Sequence, residues 1–205
     1  MVFGVLLIVA PVPSFAGDMN AKTEVSPDVE LKLALRDLYS GHIFWVRNVV
    51  LETKYGDKTA AKVAEEQVVQ NAKEIADSMG PYYGKDGSDK LFKLLAGHYG
   101  AVKDYMNATL SGKKRAQKTA VDKLKNNAGE LATFLSSANP HWPKDTLLSA
   151  LIAHGEHHIG QIDAVSKKDF AYEAKIWEVM KEHIYAIADL LADGIVKQFP
   201  EKFTE

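Results

Sequence analysis

The sequence contains no cysteine among its 205 residues. That excludes thiolate metal sites, thiol nucleophiles, disulfides and c-type haem attachment. A basic surplus is missing too: the formal net charge is −2. Binding to phosphate backbones needs a basic footprint, so no nucleic-acid partner is expected. There is no P-loop, no dinucleotide fingerprint and no G-x-S-x-G nucleophile elbow. Nor is there an H-E-x-x-H or any E-x-x-H, and without the latter a ferritin-like di-iron centre is disfavoured. No catalytic residue is assigned.

Long apolar runs are absent except at the start. Val2 to Val12 is apolar but shorter than the roughly 20 residues a bilayer crossing requires. No charged side chain precedes Asp18, and Ser14-Phe15-Ala16 offers small residues for cleavage. Residues 1–16 therefore read as a secretory signal peptide, followed by a flexible segment over 17–29 and one domain over 30–205. The expectation is a periplasmic or secreted protein with no membrane span once the signal is removed.

Proline is scarce, with 7 in the chain, while alanine, leucine, lysine and glutamate are plentiful. Helix is the expected element. "ALRDLYSGH", "KLFKLLAGH" and "TLLSALIAH" end in His42, His98 and His154, each 56 residues from the next. "VVQNAKEIADSM", "LKNNAGELATFL" and "MKEHIYAIADLL" place Asn71, Asn127 and His183 at the same period. Apolar residues around each recur at steps of three and four, as on one face of a helix. Turn signals fall at 54–58, 80–87, 111–114, 139–145 and 166–169. The pattern predicts an all-α, up-and-down six-helix bundle built from three αα-hairpin repeats of 56 residues.

Residues equally far from a turn lie at equal height in such a bundle. His42, Asn71, His98, Asn127, His154 and His183 should then form one inward layer. Unpartnered, each buried polar group would cost about 1–3 kcal/mol, so the layer must be satisfied internally or by a ligand. One possibility is a hydrogen-bonded layer that fixes helix register in a structural or partner-binding bundle. A second is a transition-metal site for zinc, copper, nickel or iron. Its donors would be His42, His98, His154 and His183, with His158 one helical turn after His154. Asn71, Asn127, Glu74 and Glu130 would then orient them. A third is a hydrolytic metal centre with an open coordination position. His157 and His141 read as exposed.

"LRDLYSGHIFWVR", "PYYG", "NAGELATFL", "HIYAIAD" and "GIVKQFP" together resemble a family of uncharacterised bacterial all-helical proteins. The likeness runs from about Leu35 to Phe203. It implies a helical fold and draws attention to His42, Trp45, Arg47, Asn71, His98, Asn127, His154, His183, Asp189, Gln198 and Pro200. A glycosyltransferase label sometimes attached to that family has no support in this sequence, which lacks D-x-D and is too helical for nucleotide-sugar folds.

Overall fold

The computed structural model describes residues 25–204. The signal-peptide reading at 1–16, and the segment from 17 to 24, lie outside the described residues. Among the described residues the protein is entirely helical, without a strand. The order is α1 (Pro27–Tyr55), α2 (Lys58–Ser78), α3 (Gly80–Leu110), α4 (Lys114–Ala138), α5 (Lys144–Lys167) and α6 (Phe170–Gln198), followed by a 3-10 turn at Pro200–Lys202. No described helix is long and apolar enough to cross a membrane.

Local chemistry sets the boundaries. α1 begins at Pro27, three residues before the domain start read from the sequence. Proline is suited to a first helical turn, where its missing N–H would have had no partner. The Asp57 carboxylate accepts from the Thr59 and Ala60 N–H groups, both at 2.7 Å, and so opens α2. Asp169 does the same for α6 by accepting from the Tyr172 N–H at 3.0 Å. Lys168, at φ 62°, closes α5 in the left-handed conformation.

The stretch GPYYGKDG at 80–87, expected as a turn, kinks at Gly84, φ 72° and ψ 176°, where two helical segments of α3 meet. A helical turn precedes the kink for two reasons. Pro81 sits in the first turn of α3, where proline is tolerated. Tyr82 and Tyr83 then lay their rings against Phe199, Phe203 and Trp142, which holds this turn on the bundle.

Each helix packs against its neighbours in sequence, α6 closes on α1, and α5 also meets α1 and α3 across the middle. Two apolar clusters fill the interior. One includes Leu35, Ile43, Leu91, Leu131, Met180 and Leu191. The other includes Val46, Val68, Val102, Leu124 and Ile162. On α1 to α5 the switch from one cluster to the other falls at His42, Asn71, His98, Asn127 and the His154–His158 turn. A polar layer thus divides the apolar core.

The far end of the first cluster is built around Trp142, which is 1% exposed and donates its indole N–H to the Leu190 carbonyl at 3.2 Å. Asn139 donates to the Tyr83 hydroxyl at 2.9 Å, Tyr83 donates to Gln198 at 3.0 Å, and Gln198 donates to the Ala138 carbonyl at 3.1 Å. This network gives Tyr83 of "PYYG" and Gln198 of "GIVKQFP" a structural role. Gly194 faces the same indole: a Cβ there would lie 2.0 Å from Trp142 Nε1. Gly194→Ala should therefore lower stability by about 3 kcal/mol, the upper range for overpacking a tight core. Denaturant unfolding should show a lower midpoint with little change in slope.

Candidate metal centre

His42 comes from the middle of α1, His98 from α3, and His154 and His158 from successive turns of α5. All four are buried. One ring nitrogen from each lies within 4.8 Å of the others. All six pairs of ring centroids are 4.5–6.1 Å apart. His154 Nε2 is the hub, 3.3 Å from His42 Nε2 and 3.1 Å from His158 Nε2. Metal–imidazole bonds of about 2.0–2.1 Å in a tetrahedral site place their nitrogens about 3.3–3.4 Å apart. The hub spacings are close to that edge. These four residues could hold a metal ion.

Electrostatics keep the donors neutral. Burial pushes His42 down to about 3, helped by the charge His98 would carry. It pushes His98 down to about 4, opposed by the neighbouring Asn127 amide. His154 and His158 lie well below the ordinary histidine range, first through burial and then through each other's neighbours in the cluster. At neutral pH all four therefore present lone pairs, the form that binds metal.

The even-numbered helices support this centre from outside. The Asn71 amide donates to the Leu38 carbonyl at 2.9 Å, and the Asn127 amide donates to the Leu94 carbonyl at 2.9 Å. His183 Nε2 lies 2.9 Å from the Ala150 carbonyl. Each pair is separated by 33 residues, and each carbonyl lies one helical turn before His42, His98 or His154. Gly41 and Gly97 make the close approach possible. A Cβ on them would come within 3.0 Å and 3.2 Å of the respective amide nitrogens. This accounts for glycine directly before histidine in "SGH" and "AGH".

His183, read from the sequence as a donor in the layer, is not among the four: its ring stacks on His154 at 6.3 Å, and its Nε2 meets the Ala150 carbonyl in the role of Asn71 and Asn127. The reason is that α2, α4 and α6 supply the outer supports, while α1, α3 and α5 supply the centre. His158, one turn after His154, completes the set instead. Glu74 and Glu130 are exposed and do not orient the histidines, and Gln70 donates to Glu74 at 2.9 Å. His157 is half-buried rather than exposed, with its ring edge-on to His183 at 5.0 Å. His141 is exposed, as expected.

A second buried polar group lies one turn beyond His158. Glu173 is 2% exposed and accepts from Arg47 through both oxygens at 2.6 and 2.9 Å, and from Gln161 at 3.0 Å. Arg47 holds the Glu173 carboxyl below its ordinary range, against the effect of burial. The sequence suggests a carboxylate partner for Arg47 but does not single out Glu173, which sits in the polar first turn of α6 and has no period-56 counterpart. Removing the guanidinium leaves a buried carboxylate unpaired. Arg47→Ala should cost about 3 kcal/mol, the low end for a buried pair because Arg47 is itself about one-third exposed. Thermal unfolding of the variant, compared with Arg47→Ala/Glu173→Gln, checks this: the double variant should recover part of the loss.

Fold and site together define an all-helical bundle with a buried four-histidine centre. No protein family, no curated protein and no solved structure matches the chain.

Proposed function

We propose that the chain is an exported transition-metal-binding bundle that holds its ion among His42, His98, His154 and His158. One observation carries this reading, namely the crowding at His154 Nε2. A ring nitrogen carries either one hydrogen or one lone pair, so it can satisfy only one of two nitrogen neighbours. His154 Nε2 has two, at 3.3 and 3.1 Å, and His98 Nε2 is buried with none. A layer closed by internal hydrogen bonds leaves two of the four Nε2 atoms unsatisfied. A metal ion uses every one of the lone pairs at once. The buried Nδ1 atoms of His154 and His158 lack a protein partner in either reading and do not discriminate between them.

The donor set contains no thiolate and no carboxylate, which suits zinc, copper, nickel or iron rather than calcium or magnesium. The threefold hairpin repeat belongs to the same proposal and is supported by the common 33-residue offset of the three supporting contacts. Export is supported by the leader-like pattern of residues 1–16, and cell fractionation with N-terminal sequencing of the mature chain tests it.

The test of metal binding is equilibrium dialysis of untagged protein against each of the four metals, followed by elemental analysis. About one ion per chain is expected, lost in the double variant His98→Ala/His158→Ala. Native protein that retains no metal, and whose melting is unchanged by it, would overturn the proposal.

A further inference from the structure

The histidine centre does not lie against solid core on every side. A cavity adjoins it, in which the centre of a water-sized sphere has about 50 Å³ to move. Of its 19 lining residues, 14 are aliphatic, among them Val68, Ile75, Leu131, Leu147, Ile184 and Ile187. The others are Tyr39, Tyr99, His42, His98 and His154, and no charged side chain lines it. His158 is not part of the lining. Three of the four donors therefore border the cavity, and the fourth lies away from it.

From this asymmetry we infer that the metal centre has an open face, bounded by His42, His98 and His154, that admits a small uncharged diatomic molecule such as nitric oxide, carbon monoxide or dioxygen. This rests on the metal reading above and deepens it. Size sets the upper limit. Apolar cavities of about 150 Å³ stay dry and take up benzene, so one-third of that volume holds about two or three heavy atoms. Polarity sets the class. An anion or a hydrogen-bonding metabolite entering here would lose its water and find aliphatic walls, at a cost of several kcal/mol. A neutral diatomic loses almost nothing on leaving water, coordinates through one end and rests its other end against hydrocarbon. Binding is reversible coordination, with no bond in the protein formed or broken.

Ala72 is the lever for a test. It lines the cavity from α2, is 6% exposed, and belongs neither to the donors nor to their supports. Ala72→Leu adds three carbons to the cavity, and Ala72→Val, with two, is the milder fill should leucine prevent folding. Native and variant proteins are dialysed anaerobically against iron(II), with zinc(II) in parallel, and metal content is measured on each sample. Nitric oxide is then added and the iron–nitrosyl signal is read by electron paramagnetic resonance, with azide as an anionic probe of similar size. We expect one nitrosyl per iron in the native protein and at least a tenfold weaker affinity in the filled variant at unchanged iron content. Iron bound without a nitrosyl signal, equal nitrosyl binding in native and filled proteins, or azide binding in preference to nitric oxide would each overturn the inference. So would retention of zinc with exclusion of iron, which leaves the metal reading standing. Retention of neither metal counts against the metal reading itself.

Discussion

Replacing His154 with leucine is expected to abolish metal binding while leaving the stability of the metal-free protein nearly unchanged. Both effects follow from the same atoms. His154 Nε2 is the hub of the cluster, 3.3 Å from His42 Nε2 and 3.1 Å from His158 Nε2. Structural zinc in small peptides is bound by about 10–16 kcal/mol through four ligands, so one ligand is worth roughly 3–4 kcal/mol. That is a loss of two to three powers of ten in affinity. Without metal, the imidazole contributes little net stability. It is 4% exposed, its Nδ1 has no partner, and its Nε2 cannot satisfy both neighbours. Leucine removes an unpartnered Nδ1 but orphans whichever of His42 and His158 its Nε2 had satisfied, so the two effects offset and metal-free stability should change by no more than about 1 kcal/mol. Isothermal titration with zinc and thermal melting in chelator read the two effects separately. A histidine that serves only to tie helices together would give the opposite pattern: metal affinity unaffected and stability reduced.

Acid should unfold the metal-free protein early. His42 has a folded pKa of about 3 and an ordinary value of 6.5, and His98 is likewise pushed down to about 4. Between those values the unfolded chain binds protons that the folded chain refuses. Stability is therefore intact above about pH 6.5 and falls as the pH is lowered. Each such histidine contributes up to about 1.4 kcal/mol per pH unit, and His154 and His158 are shifted in the same direction. Against a typical total of about 5–15 kcal/mol, four buried histidines should bring the unfolding midpoint within about one to three units below 6.5. Circular dichroism followed against pH shows this. The four-fold variant with apolar residues at these positions should remain folded at least one unit further into acid. A native protein that stays folded to pH 3 would mean that the cluster admits protons without penalty.

Much of this arrangement could be read from residues alone, for a specific reason. His42, His98 and His154 share both a 56-residue spacing and an apolar helical face, and those two regularities together force them to one height and one direction. His158 was visible one turn later on the same stripe. Which helices lie innermost was not visible, because an apolar stripe looks alike on a central helix and on an outer one. His183 aligns with Asn71 and Asn127 and does their work, donating toward a backbone carbonyl of the preceding helix, although its side chain suggests a ligand. At 80–87 the glycines and proline point to a turn, and the chain does kink at Gly84, while packing of Tyr82 and Tyr83 on Phe199 and Trp142 holds the residues before it in a helical turn. The cavity beside the histidines depends on how Leu, Ile and Val side chains from several helices fail to meet, and no local pattern records that.

The most direct measurement is X-ray absorption on the metal-loaded native protein. Zinc or copper held as described should show a first shell made of imidazole nitrogens at about 2.0–2.1 Å. The outer-ring scattering should correspond to four histidines, falling to three in His158→Ala. A first shell dominated by oxygen, or one unchanged when His42, His98, His154 or His158 is removed, would contradict the account.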